Sequence, residues 1–193
     1  MNRFKAFIGI LAAELACLFL ALYFYGFEKE AFQATVRFSG RLSLLYFSLL
    51  FLLSLKSNWL QAVLSPNPFA GFALAHGIHL IELLTYQYTF ANGFVPIRAL
   101  GGFMAYVIIF ILPFLYTAYH RGKIKEKTFT IFKNIFLYYV WFIFFMTYLP
   151  RVQGKLPNVG GSYQEFVILL SWVCMILGMK VTTYFSKPFS TQS

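Results

Sequence analysis

Six stretches of the chain stay apolar for about the length of a membrane crossing, and short polar segments separate them. About 20 apolar residues in a helix cross about 30 Å of hydrocarbon. The runs cover residues 4–25, 38–55, 69–90, 99–119, 129–149 and 166–185. The first follows Arg3 and Lys5, like the basic start of a signal peptide. It is too long for such a segment and has no small-residue cleavage site before the Glu28–Glu30 cluster, so a retained helix is expected. Turn-forming residues punctuate the connectors: Ser65-Pro66-Asn67-Pro68, Asn92-Gly93 with Pro96, and Pro150, Pro157 and Gly160-Gly161 in the longest outer loop. Trp59, Tyr25, Tyr86, Tyr119 and Tyr148 fall near span ends, where amphipathic rings favour the interface. Pro113 lies inside the fourth run, as a kink that neighbours can accommodate. The pattern predicts an all-α polytopic membrane protein: a single integral membrane domain over residues 1–193, folded as a six-transmembrane-helix bundle without internal repeat or soluble domain.

Composition sharpens this. Of 193 residues 60% are apolar and 11% charged, against about 45–50% and about 25% in an ordinary soluble domain. A soluble enzyme, a disordered chain and a secreted disulfide scaffold are excluded, and the lipid bilayer is the expected partner. The formal charge of +10 is strung between apolar runs, so no nucleic-acid partner is expected. Cys17 and Cys174 lie in apolar stretches and form neither a CxxC nor a metal-binding spacing. Basic residues set the orientation. Arg3, Lys5, Lys56, Arg121, Lys123, Lys125, Lys127, Lys133 and Lys187 fall to one side; Lys29, Arg37, Arg41, Arg98, Arg151 and Lys155 fall to the other. The richer side is cytoplasmic by this count, which places the N- and C-termini in the cytoplasm. The expected location is a bacterial inner (plasma) membrane.

Ionisable residues inside spans are the places to look for function, because lipid penalises them. Lys180 lies near a helix end and can snorkel to the headgroups. Glu14, His76, His79 and Glu82 lie deeper. At 1.5 Å per residue Glu14 and His79 are roughly 15 Å deep and Glu82 roughly 20 Å, so the three share a layer near the midplane. His76, His79 and Glu82 follow an i, i+3, i+6 spacing along one side of their helix. Two readings stay open: a hydrogen-bonded cluster that locks the helices together, or a cofactor or proton site. Small neighbours (Ala73, Ala75, Gly77) leave room for a flat macrocycle beside a ligating histidine. A six-coordinate b-type haem takes imidazoles on opposite faces of the ring, and His76 and His79 share one helix. His120 closes the fourth span roughly 10 Å above His76 and roughly 15 Å above His79 along the membrane normal, so only a kinked or tilted helix would bring it in.

Several segments, taken in order, carry a resemblance. The second span reads Val36-Arg37-Phe38-Ser39-Gly40-Arg41-Leu42-Ser43-Leu44-Leu45 and the third contains Phe72-Ala73-Leu74-Ala75-His76-Gly77-Ile78-His79-Leu80. Gly101-Gly102 opens the fourth, followed by Tyr106, and Tyr138-Tyr139-Val140-Trp141 with Phe145, Tyr148 and Arg151 lies in the fifth. Over about residues 34–180 the chain resembles the ferric-reductase-like transmembrane domain family. That resemblance implies a membrane cytochrome b passing electrons through haem b, with His79 as the iron ligand and His76 beside it as a neighbouring or alternative ligand. The family's second ligand is expected at the start of the fifth span, where this chain has Lys133 and Tyr138, and no histidine follows His120. Three arrangements follow: His120 as second ligand, a five-coordinate haem, or a fold that has lost its cofactor. No GxGxxG follows a strand, so no flavin or NAD module is expected and electrons would need a separate redox partner. The functional expectation is a haem-b electron-transfer subunit. Its alternatives are a haemless scaffold or partner subunit of the same fold, and a proton- or cation-coupled carrier using Glu14, His79 and Glu82.

Overall fold

A computed structural model describes residues 3–52, 67–90, 96–156 and 161–185. Six helices run through them: α1 (Arg3–Tyr25), α2 (Lys29–Leu52), α3 (Pro68–Phe90), α4 (Pro96–His120), α5 (Glu126–Val152) and α6 (Tyr163–Phe185). No strand occurs among the described residues. Each helix holds a stretch long and apolar enough to cross a membrane. The chain is a multi-pass integral membrane protein. Lys56, Trp59, Ser65, Pro66, Asn92, Gly93, Pro157, Gly160 and Lys187 lie outside the described residues.

The helices outrun the apolar runs that announce them. The largest difference is α2, expected from residue 38 and starting at Lys29. Its first third looks polar, yet Ala31, Ala34 and Thr35 are buried, so packing against α1 and α3 decides the structure. Lys29, Arg37 and Arg41, counted from sequence with the outer loops, are therefore helical. The Arg37 guanidinium lies 5.9 Å from the ring centre of Tyr25, at the end of α1, which is snorkelling toward that interface. Gly26 makes the turn possible: its φ of 66° is open to glycine at little cost, and its N–H closes the end of α1 on the Leu22 carbonyl at 2.8 Å. α5 starts at Glu126 and runs through Pro150 to Val152, so Pro150 belongs to the last helical turn and not to the following loop. α6 starts three residues before the expected Phe166 because Ser162 and Glu165 form a reciprocal capping box. The Ser162 N–H donates to Glu165 Oε2 at 2.9 Å and the Glu165 N–H to Ser162 Oγ at 3.3 Å.

Packing divides the chain into two compact units, residues 1–143 and 144–193. In the first, α2 is central: it packs on α1 and α3, α1 also touches α3, and α4 lies against α3. The core is aromatic. Phe47, Phe51, Phe69, Phe72 and Phe136 are fully buried. Phe136, from α5, meets Phe47 at 6.3 Å, Phe69 at 5.5 Å and Phe72 at 5.8 Å between ring centres. Such edge-to-face pairs add about 0.5–1.5 kcal/mol beyond the area they bury. Asn67 stitches α3 to the proline of α4: its Oδ1 accepts from the Ala70 N–H at 3.2 Å, capping α3, and its Nδ2 donates to the Pro113 carbonyl at 3.1 Å. In the second unit Tyr148 packs on Phe166, and the Arg151 guanidinium lies 5.4 Å from the Phe166 ring centre while bonding the Thr147 carbonyl. Phe4, Phe19, Phe24, Phe114 and Ile168 are exposed, as expected of helices whose solvent is lipid.

Candidate functional site: an intramembrane polar cluster

The in-span ionisable residues of α1 and α3 come together, and α2 supplies what holds them. Successive steps of three residues on a helix drift by about 60°, so His76, His79 and Glu82 fan across about 120° of α3. His76 faces α4, and the other two face α2 and α1.

His76 stacks on Phe72 one turn earlier, with ring centres 5.2 Å apart and 19° between planes, and on Tyr106 of α4 at 4.9 Å and 24°. His79 meets His76 at 5.4 Å and otherwise lies against α2. Its Cε1 is 3.0 Å from the place a Cβ would occupy at Gly40, with Nε2 at 3.5 Å and Nδ1 at 3.6 Å. It interacts with the Val36 backbone, while Nδ1 has no hydrogen-bond partner. Gly40 is thus the notch in α2 that receives the histidine.

Glu82, one turn beyond His79, comes beside the Ser39 hydroxyl, and so does Glu14 from α1, without closing a hydrogen bond to it. The two carboxyl groups lie near each other, and the Cys17 thiol lies near both. Glu14 is 4% exposed and Ser39 and Ser43 are 0%. Both Glu14 oxygens, Glu82 Oε2, Ser39 Oγ and Ser43 Oγ lack a hydrogen-bond partner. Glu14 and Glu82 thus stand around Ser39, and His79 lies against the next residue of α2, Gly40. Sequence reasoning missed Ser39, Ser43 and Gly40 as site residues. Their signal was available: Thr35, Ser39 and Ser43 repeat every four residues, which aligns small polar groups on one helix face.

His120 does not join them. It ends α4 exposed, edge-on to Tyr116 at 4.3 Å and Tyr119 at 5.3 Å. Tyr106, which stacks on His76, lies 14 residues back along α4, roughly 21 Å at the helical rise. Near Pro113, α4 is held against the start of α3, where Asn67 bonds Pro113 and Thr117.

No known protein family, curated protein or solved structure matches the chain. The haem expected from the resemblance has to be judged on the residues themselves, and they do not fit it. His79 has its Cε1 edge laid against Gly40 of α2, which leaves little room on that side for a macrocycle. The stretch of α5 where a second ligand was expected delivers Phe136 into the aromatic core.

Proposed function

We propose that the chain is a proton- or cation-coupled membrane carrier whose coupling element is Glu14 and Glu82 around Ser39. The observation that carries this reading is that two carboxyl groups stand beside one buried hydroxyl, with their oxygens left unpartnered inside a membrane-spanning unit. An ionised carboxylate in such surroundings is costly unless a counter-charge neutralises it. Taking up a proton or a cation removes that cost, so the pair is built to bind one. No step runs through haem, and an electron-transfer role with a redox partner has no support in this packing. The carrier is read as an inner-membrane protein with both termini cytoplasmic, on the nine basic residues counted to that side.

The test is proton flux into reconstituted vesicles driven by an imposed membrane potential and followed with an internal pH dye. Flux above that of empty vesicles is expected. Glu14→Gln and Glu82→Gln, each nearly isosteric, are expected to lower it at least tenfold. Flux equal to empty vesicles, or flux that survives both substitutions, overturns the proposal.

A further inference from the structure

One threonine and three serines lie buried along α2, and they behave in two ways. Thr35 Oγ1 donates to the Ala31 carbonyl at 2.9 Å and Ser48 Oγ to the Leu44 carbonyl at 2.7 Å. Folding back onto the carbonyl four residues earlier is the usual way for a helical hydroxyl to satisfy itself away from water. Ser39 and Ser43, between them, do not: both are fully buried and neither has a hydrogen-bond partner. Ser39 stands beside the carboxyl groups of Glu14 and Glu82, and Ser43 continues the same face one turn on. An unsatisfied buried hydroxyl costs about 1–3 kcal/mol, so Ser39 beside two carboxyl groups, with Ser43 one turn along the same face, marks a place where a ligand completes the coordination.

We infer that this cluster binds one small alkali cation, of the size of sodium or lithium, in competition with a proton. The inference rests on the proton- or cation-coupled reading above and names the ion. The unpartnered oxygens are two on Glu14, one on Glu82 and one each on Ser39 and Ser43, so the ligands on offer are all oxygen. Oxygen donors select hard cations over the softer metals that favour nitrogen and sulfur. His79 Nδ1 and the Cys17 thiol offer one nitrogen and one sulfur nearby, too few for a zinc-type site.

Charge chooses the valence. Two carboxylates carry −2, and one proton with one monovalent cation brings the site to neutrality. Replacing the cation by a second proton leaves it neutral, so the two exchange without placing net charge in the hydrocarbon. Magnesium dehydrates reluctantly and keeps several waters, and calcium takes six to eight oxygens; five donors suit neither. Three further ionisable groups on α2 and α3 have contacts of their own. Arg37 reaches Tyr25, Arg41 lies 5.9 Å from the Phe38 ring centre, and His76 is held between Phe72 and Tyr106.

The experiment is infrared difference spectroscopy on the full chain in lipid nanodiscs, exchanging choline chloride for sodium or lithium chloride at fixed pH. Sodium is expected to deplete a protonated-carboxyl band and raise a carboxylate band, with saturation. Glu14→Gln should abolish that difference, and Ser39→Ala and Ser43→Ala should each weaken the sodium affinity about tenfold. Potassium and magnesium at equal concentration should leave the bands unchanged. If proton flux is present and carboxylate-dependent but sodium and lithium leave the bands unchanged, the cation inference is overturned and the proton reading stands. Serine variants with wild-type sodium affinity, or an equal response to potassium or magnesium, also overturn it. Absence of both the flux and any ion-sensitive carboxyl band overturns the reading on which it rests.

Discussion

Gly40 is the residue on which the position of His79 depends. A Cβ there would stand 3.0 Å from His79 Cε1, and the neighbouring atoms of that ring are at 3.5 and 3.6 Å. The ring also lies 5.4 Å from that of His76 between centres, so Gly40→Ala pushes α2 and α3 apart or rotates the imidazole. Overpacking of this kind costs about 1–3 kcal/mol, and thermal unfolding in detergent should show it. The His79→Ala change removes the obstruction, so the double variant should recover most of the loss; losses that simply add would mean that the glycine and histidine do not meet. The histidine was legible in the sequence as a polar residue at midplane depth. Its notch was not, because a glycine within a span signals only that something approaches closely, without saying what. Ser39 escaped for a similar reason: a serine in a membrane helix ordinarily bonds its own backbone, and only the fold shows that this one does not.

At the scale of elements, six spans were readable because apolar runs of this length can be little else. Their ends were less so, since an end is set by caps and packing rather than by hydropathy. The capping box of Ser162 and Glu165 extends α6 by a turn, and buried Ala31 and Ala34 draw the polar start of α2 into the helix. The join between α3 and α4 follows the same logic. Asn67 caps α3 through Oδ1 and, through Nδ2, reaches the Pro113 carbonyl at 3.1 Å and the Thr117 hydroxyl at 3.4 Å. Asn67→Ala loses the cap and the stitch together and should destabilise by about 1–2 kcal/mol. Asn67→Asp keeps the capping oxygen and loses the donor, so it should fall between the two in unfolding temperature. Equal losses in the two variants would put the whole effect in the donor; no loss in Asp would put it in the cap.

At the scale of the whole molecule, the question is what fills the space between α2, α3 and α5 in the first unit. A cytochrome would hold a macrocycle between histidines of different helices. This chain holds rings of its own: Phe136 arrives from α5 fully buried against Phe47, Phe69 and Phe72, and Tyr138 meets Phe51 at 5.7 Å. A close-packed core has no space to spare, so such a cluster and a haem exclude each other at this place. Phe136→Ala should therefore cost about 3–5 kcal/mol, the loss expected for a large core ring. The purified protein, expressed with haem supplied, should show no b-type Soret or α band in a dithionite-reduced minus oxidised spectrum. A b-type spectrum that disappears in His79→Ala would mean that the phenylalanines part for a haem and that the resemblance carries the chemistry as well as the helices. A flat spectrum, with a Phe136→Ala loss of the expected size, leaves the buried carboxyl pair as the chemically active feature of the first unit.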